Sequence, residues 1–338
     1  MKYGTIPGVD KPVSRIVCGT SMPVLDAAAR SVYEGAPDFP QRLEAAFAHL
    51  DAMYAEGVNC FDCAHIYGEE PLGEWMAARG LRDRVVILAK GAHHNRWRRR
   101  VTDFDILSDV HDSLAKLGVD RLDMFMLHRD DPAVPVGPIV DALNRCHDEG
   151  KIGAFGGSNW SVERIEAAND YAEKHGLTPF TVSSPNFGLA DQVADLWGEG
   201  SLSLSGPANR AARQWYAERR MPIFAYSSLG RGFFSGRVQS GEPETANQFL
   251  DAFAIKGYVC PENFERLRRC EILAKKMHTT VPAIAMAFIF NRPGLDVYAL
   301  TGTARVENLR VSIAASELAL SEEACRWLDL DPEQPDFL

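Results

Sequence analysis

The sequence predicts an α/β protein folded as a TIM (β/α)8 barrel, a single domain over residues 1–338. Three observations predict it. Eight short apolar runs recur along the chain, amphipathic segments of helical period separate them, and the longest irregular stretches each follow such a run. Continuous apolar runs suit strands covered on both faces, the condition of a parallel sheet. Strands alternating with helices build such a sheet, and the strand count and chain length favour closure over an open doubly wound sheet.

In chain order the strands are expected at Ser14–Gly19, Val58–Asp62, Val85–Lys90, Met124–His128, Ile152–Ser158, Phe180–Ser183, Ile223–Tyr226 and Val297–Thr301. The first long helix is marked by Leu43, Ala46, Phe47, Leu50, Met53 and Tyr54, which fall on one face at 3.6 residues per turn. A second is expected at Gly73–Arg79, and Leu107, Val110, Leu114 and Leu117 mark a third. Helices follow at Ile139–Glu149 and after Ser161, an N-cap with Glu163 in the first turn. Further helices are expected at Ala208–Arg219, Glu262–Met277, Ala283–Phe290, Val306–Ala315 and from Ser321 to near Leu330. The irregular stretches His93–Thr102, Ala190–Pro207 and Gly230–Pro261 all follow strands. In a barrel such loops crowd the face where chemistry takes place.

Composition excludes several classes. With 36 basic against 46 acidic residues the net charge is −10, the wrong sign for a general nucleic-acid binder. The run Arg96-Trp97-Arg98-Arg99-Arg100 is read as a solvated surface loop. Seven cysteines form no framework. Cys60 and Cys63 are offset by three, so on a strand they point apart, and no second pair completes a zinc site. No metal is expected. The opening MKYGTIPGVD lacks a charged-then-apolar leader pattern, and no apolar stretch approaches membrane-spanning length. A cytoplasmic protein without membrane or nucleic-acid partners is the expectation. Oligomeric state is not legible.

Polar residues at the C-terminal ends of barrel strands read as functional. Asp62 ends the second expected strand, with Tyr67 five residues on. Lys90 ends the third and His128 the fourth. Singly, such residues are a helix cap, a surface charge or a satisfied core histidine; together they have a division of labour. Hydride delivered to a carbonyl carbon leaves an alkoxide that needs a proton. Tyrosine can supply it, and a nearby ammonium would lower a phenol pKa that starts near 10. An aspartate can hold the lysine, and a histidine can orient the carbonyl oxygen.

The segment Asp62-Cys-Ala-His-Ile-Tyr67-Gly68, followed in order by Lys90 and His128, resembles the aldo-keto reductases. The resemblance extends over roughly residues 14–330. It implies Tyr67 as general acid, Lys90 and Asp62 tuning it, and His128 orienting the substrate. Gly156-Gly157-Ser158-Asn159-Trp160 is similar to the family's motif after strand five. Ser158 and Asn159 would there bond a nicotinamide carboxamide. Tyr226-Ser227-Ser-Leu229-Gly230-Arg231-Gly232 resembles the segment after strand seven. Tyr226 would stack on nicotinamide, and the residues from Ser227 would cradle a pyrophosphate.

Thr301-Gly302-Thr303-Ala-Arg305-Val-Glu-Asn308 resembles the adenosine end. Arg305 would face a 2′-phosphate, whose oxygens suit a guanidinium fork, which favours NADP(H) over NAD(H). Asn308 would contact adenine, and Thr20 would lie at the cofactor's edge. Ser184 stands where the family usually carries glutamine, and Ser312 where it usually carries asparagine. Both changes put cofactor contacts in question. Met22, Trp97, Trp160 and Phe187 are expected to line the substrate pocket, and the stretch Gln192–Ser205 to shape it. The implied partner is a small-molecule aldehyde, ketone or sugar, reduced to the alcohol or formed in reverse.

The alternative is a regulatory or auxiliary subunit that binds cofactor with little turnover, and a weaker one is a barrel hydrolase. The intact tetrad favours catalysis. No G-x-G-x-x-G follows the first strand, and there is no P-loop or hydrolase elbow.

Overall fold

The computed structural model of the chain describes residues 1–30, 34–196, 200–334 and 337. Strands β1 (Tyr3–Gly4) and β2 (Val13–Ser14) form a small antiparallel hairpin. The remaining strands are β3 (Ile16–Gly19), β4 (Cys60–Asp62), β5 (Val86–Gly91), β6 (Leu122–Leu127), β7 (Ile152–Ser158), β8 (Val182–Ser184), β9 (Ile223–Ala225) and β10 (Val297–Thr301). These eight close into a barrel in the order β10-β3-β4-β5-β6-β7-β8-β9, and the paired ladders are parallel. The chain is a TIM barrel, as its pattern of apolar runs predicts. Every residue of β4 through β9 is buried. That explains why the runs are largely apolar and do not alternate.

Helices alternate with the barrel strands. They are α1 (Pro23–Asp26), α2 (Phe39–Ala55), α3 (Glu69–Arg79), α4 (Asp103–Leu117), α5 (Val136–Asp148), α6 (Val162–His175) and α7 (Arg210–Arg219). Then come α8 (Thr245–Phe249), α9 (Ala252–Tyr258), α10 (Pro261–Lys276), α11 (Val281–Phe290), α12 (Val306–Ala315) and α13 (Glu322–Leu328). By contacts the chain forms two compact units, residues 3–183 with 300–306, and residues 184–299 with 307 onward. The four catalytic candidates belong to the first.

Four differences from the sequence reading have physical causes. The run Ser14–Gly19 breaks into β2 and β3, because its start pairs back onto β1. The turn after β1 lies on the N-terminal ends of the barrel strands, and a Cβ at Gly153 would stand 2.6 Å from the Gly8 carbonyl oxygen. Helix α3 starts four residues before the expected Gly73. Pro71 falls in its first turn, where a missing N–H costs nothing. Gly73 is a packing residue there, since a Cβ would meet the Leu117 carbonyl oxygen at 2.5 Å. The stretch Gly230–Pro261 is not irregular throughout, for it carries α8 and α9.

The fourth difference concerns α4. Of its expected apolar face Val110 and Leu117 are buried, but Leu107 and Leu114 are half-exposed, and Asp105, Ile106, Asp109 and Ser113 complete the buried face. The residues at i, i+4 and i+8 of that face are polar and buried.

Candidate active site

Asp62 is the last residue of β4, Lys90 the penultimate residue of β5, and His128 follows β6 directly. Parallel register sets Asp62 beside Leu88 and Lys90 beside Met126, so all three emerge at the strands' C-terminal ends. Tyr67 reaches them through a tight turn closed by Ala64 and Tyr67, each of whose N–H groups donates to the other's carbonyl (3.0 and 2.8 Å). Gly68 ends this turn at φ +72°, and a Cβ there would overlap the Thr20 hydroxyl at 1.9 Å. Only glycine lets Thr20 in. Thr20 in turn holds the Asp62 carbonyl with both its N–H (2.9 Å) and its hydroxyl (2.8 Å).

The Tyr67 hydroxyl donates to Asp62 Oδ1 at 3.1 Å, and the Lys90 ammonium donates to Asp62 Oδ2. Asp62 and Lys90 are almost wholly buried. The four expected residues therefore meet, in a different hydrogen-bond order. Lys90 was expected to lower the Tyr67 pKa. Here burial and the Asp62 carboxylate, which accepts the phenolic proton's bond, hold it well above its usual 10. The His128 ring stands edge-on to Tyr67 (6.1 Å between centroids) and edge-on to His93 (4.8 Å). Burial, with the charges of Lys90, His93 and Arg129 nearby, pushes His128 well below the usual histidine range, so the ring is neutral. Its Nδ1 is buried with no hydrogen-bond partner among the described residues.

The residues around this centre were not all found from the sequence. Ala92, just past β5, sits at φ +57°, a left-handed backbone that non-glycine residues rarely adopt. Its N–H donates to the buried Asp109 carboxylate at 2.7 Å, and Arg100 holds the other Asp109 oxygen at 2.5 Å. That kink delivers His93 to His128. Arg98 grips Asp105 with two nitrogens (2.6 and 2.5 Å), and Thr102 with Asp105 forms a capping box at the start of α4. Arg96 to Arg99 are exposed, as read, but Arg100 is half-buried, and Arg98 and Arg100 are anchors to buried aspartates. The spacing Asp105, Asp109, Ser113 was the available signal, and it resembles an ordinary solvated face.

On the first unit, Ser158 ends β7 and Asn159 takes φ +61°. Asn159 Nδ2 donates to the His128 carbonyl (3.3 Å) and to Ser158 Oγ (3.1 Å). The two preceding glycines are required by packing, since a Cβ at Gly156 would lie 1.8 Å from the Val182 carbonyl oxygen and one at Gly157 2.4 Å from Trp160. Gly302 and Arg305 are exposed. Among the described residues the Arg305 guanidinium has no ion-pair partner. Met22 is buried and Trp97 is 74% exposed with the Arg96 guanidinium over its ring. Trp160 is wholly buried against Phe180 and donates to the Arg129 carbonyl, so its contacts are those of a core side chain.

On the second unit, the Ser184 hydroxyl donates to the Phe224 carbonyl at 2.8 Å. Phe187 is buried and Tyr226 half-buried. Ser227, Gly230, Arg231 and Gly232 all have positive φ, between 51° and 98°. Arg231 pairs with Asp251 at 2.6 Å. Leu229 lies within this turn, its carbonyl accepting the Gly232 N–H at 3.1 Å, and the exposed Asn308 accepts the Ser312 hydroxyl on its carbonyl at 3.2 Å. Of the stretch expected to shape the pocket, residues 197–199 lie outside the described residues. Among the described residues no group of three or more His, Cys, Asp or Glu side chains could hold a metal, and no helix is long and apolar enough to cross a membrane.

A carboxylate, an ammonium, a phenol and a neutral imidazole gathered at the strand ends of a barrel suit proton delivery to a carbonyl oxygen. A profile of the aldo/keto reductase family matches residues 35–329. The chain belongs to this family. It is similar to the aldo-keto reductase str7 of Strobilurus tenacellus, 27% identical over 297 residues that cover 86% of this chain and 82% of that protein. It is 26% identical to the aryl-alcohol dehydrogenase [NADP(+)] of Phanerodontia chrysosporium, over 85% of this chain and 75% of that one. Identity to the aldo-keto reductase YhdN of Bacillus subtilis is 24%, over 100% and 98%. Aldo-keto reductases are oxidoreductases of the carbonyl/alcohol couple and generally work with nicotinamide cofactors.

Proposed function

We propose that this aldo-keto reductase uses NADP(H) to reduce an aldehyde, ketone or sugar carbonyl to the alcohol, or to run the reverse reaction. The observation that carries the reading is the meeting of Tyr67 and Lys90 on the single Asp62 carboxylate, with neutral His128 beside them. The backbone supports a dinucleotide as well. Ser227, Gly230, Arg231 and Gly232 have positive φ, and a turn of glycines and left-handed residues lets phosphate oxygens approach the backbone closely. Arg305, exposed at the start of α12, suits a 2′-phosphate, and the name of the Phanerodontia chrysosporium relative includes NADP(+).

In this reading Ser158 and Asn159 hold the nicotinamide carboxamide, Thr20 takes the cofactor's edge, and Ser184 stands where the family usually carries a glutamine. Tyr226 stacks on the ring, and Ser227, Leu229, Gly230 and Arg231 seat the pyrophosphate. Gly302, Arg305 and Asn308 take the adenosine end. Bound there, the nicotinamide supplies or accepts the hydride. His128, neutral, donates one N–H to the substrate oxygen and orients it. Tyr67 gives its proton to that oxygen as negative charge develops. A phenol held above its usual pKa still protonates an alkoxide, which is the much stronger base. Lys90, fixed by Asp62, sets the positive potential under the phenolic oxygen as the proton leaves.

The test is a titration of the purified protein with NADPH and NADH, followed by tryptophan fluorescence. Tight binding with preference for NADPH is expected. Equal affinity for both would overturn the 2′-phosphate assignment, and binding of neither would overturn the reading.

A further inference from the structure

Glu69 opens helix α3 directly after Tyr67 and Gly68, and it is 3% exposed. Its Oε1 accepts the Ser113 hydroxyl at 2.6 Å. Its Oε2 is buried with no hydrogen-bond partner among the described residues. The Lys116 ammonium stands 3.6 Å from Oε2, within ion-pair range but beyond a good hydrogen bond. Lys116 donates instead to the His65 carbonyl at 2.6 Å, inside the turn that presents Tyr67. Ser113 and Lys116 lie one turn apart on α4, so one helix face touches both the carboxyl and the turn.

We propose that Glu69 is a positioning residue for Tyr67, acting through Lys116 and the His65 carbonyl oxygen. When Glu69 is charged it holds Lys116 by a second attraction, and the His65 carbonyl gains a fixed donor. When Glu69 is neutral, Lys116 has only that carbonyl, and its half-exposed side chain is free to leave for water. The groups facing Glu69 are Lys116, Ser113 and Asp109 from α4, Tyr67 from the turn, and Cys63 just past β4. Burial outweighs Ser113 and Lys116 and pushes the carboxyl up to about 7. The charge on Glu69 therefore changes close to neutral pH, and the placement of Tyr67 changes with it.

The inference rests on Tyr67 being the proton donor. Its test measures the single-turnover rate of NADPH consumption with 4-nitrobenzaldehyde from pH 5.5 to 8.5. The wild-type rate is expected to rise through about pH 7. Glu69→Gln is expected to stay on the low-pH plateau, about tenfold below the wild type at pH 8, with KM unchanged, as small misplacements of a reacting group cost that much or more. Lys116→Met, at a half-exposed position, is expected to give the same flat profile, and Lys116→Arg to restore the rise. A carbon-13 glutamate resonance missing from Glu69→Gln is expected to titrate near pH 7.

Wild-type profiles in both Glu69→Gln and Lys116→Met would overturn the inference, as would a change in KM alone. Tyr67→Phe separates the two readings. If it retains turnover, the proton-donor assignment itself fails; if it is inactive while Glu69→Gln behaves as wild type, only the role of Glu69 fails.

Discussion

Tyr67 and Lys90 do not touch each other through a shared proton; they bond opposite oxygens of the Asp62 carboxylate, with Tyr67 Oη 3.1 Å from Oδ1. In this arrangement the carboxylate fixes both partners and the phenol keeps its proton until a stronger base arrives. Removing the hydroxyl should therefore abolish proton delivery and leave the surroundings intact. Tyr67→Phe is expected to lower kcat by about 10²- to 10⁴-fold, the usual range for a positioned acid. NADPH affinity, read by fluorescence titration, is expected to stay within a few-fold.

Arg305 is exposed and free of ion pairs among the described residues, so its replacement should leave the fold untouched. Arg305→Ala is expected to weaken NADPH roughly ten- to a hundredfold, the worth of a charge-assisted hydrogen bond. NADH should change little. Parallel losses for both cofactors would place the guanidinium elsewhere than on a 2′-phosphate.

Glu69 links charge to stability. Its folded pKa of about 7 lies above the ordinary 4.5, so folding favours the protonated form. Its favourable contribution is complete below pH 4.5 and is lost as pH rises through about 7. The loss amounts to about 3 kcal/mol from the size of the shift. Denaturant unfolding of wild type and Glu69→Gln at pH 5 and pH 8 gives the difference. The stability of the variant relative to wild type should increase at the higher pH. A difference independent of pH would show that Glu69 titrates in its ordinary range.

His128 has the opposite sign. Its folded pKa is depressed, so the unfolded chain takes up a proton below about 6.5 that the folded chain refuses. Acidification from pH 7 to 5.5 should cost stability in the wild type, and less in His128→Asn. Nitrogen-15 NMR should find the His128 ring neutral at pH 6; a charged ring there would remove the orienting role assigned to it.

Gly156 tests the wall beside the site. A methyl group there would overlap the Val182 carbonyl oxygen at 1.8 Å, which is backbone and cannot swing aside. Gly156→Ala is expected to cost about 3 kcal/mol or more. Gly118→Ala has φ +63° but open space, and the left-handed penalty alone should cost about 1 kcal/mol. Thermal or denaturant unfolding of the two variants separates clash from conformational strain.

The barrel was legible because its strands are buried on both faces, so Val86–Ala89 and Met124–Leu127 read as unbroken apolar runs. Asp62, Tyr67, Lys90 and His128 stood out for the complementary reason, as polar residues at the ends of those runs. Glu69, Asp105, Asp109 and Ser113 did not. Polar residues four apart on a helix ordinarily mark its wet side, and nothing local distinguishes a carboxylate facing water from one facing a buried amide. What reverses the reading is the partner in space, such as the Ala92 N–H or the Ser113 hydroxyl. The hydrogen-bond order at Asp62 was equally hidden, because order among four polar groups is a matter of ångströms that spacing does not encode. The N-terminal hairpin escaped because two-residue strands leave no periodicity to read.

Helix α4 holds its two neighbours with different residues. Asp105 and Asp109 grip the loop that carries His93, Ser113 and Lys116 serve the turn that carries Tyr67, and His65 of that turn, 3.8 Å from Asp109 and 3.3 Å from Arg100, is touched from both sides. The division makes the fold modular at the point where modularity matters. On the proposed reading Arg96 and Trp97 are the exchangeable positions, since Ala92, Arg98 and Arg100 are anchors, His93 packs on His128 and the Asn95 side chain accepts the Arg98 N–H. If the proposed roles hold, a lineage or an engineer can change which carbonyl compounds are admitted there while Asp62, Tyr67 and Lys90 stay as they are.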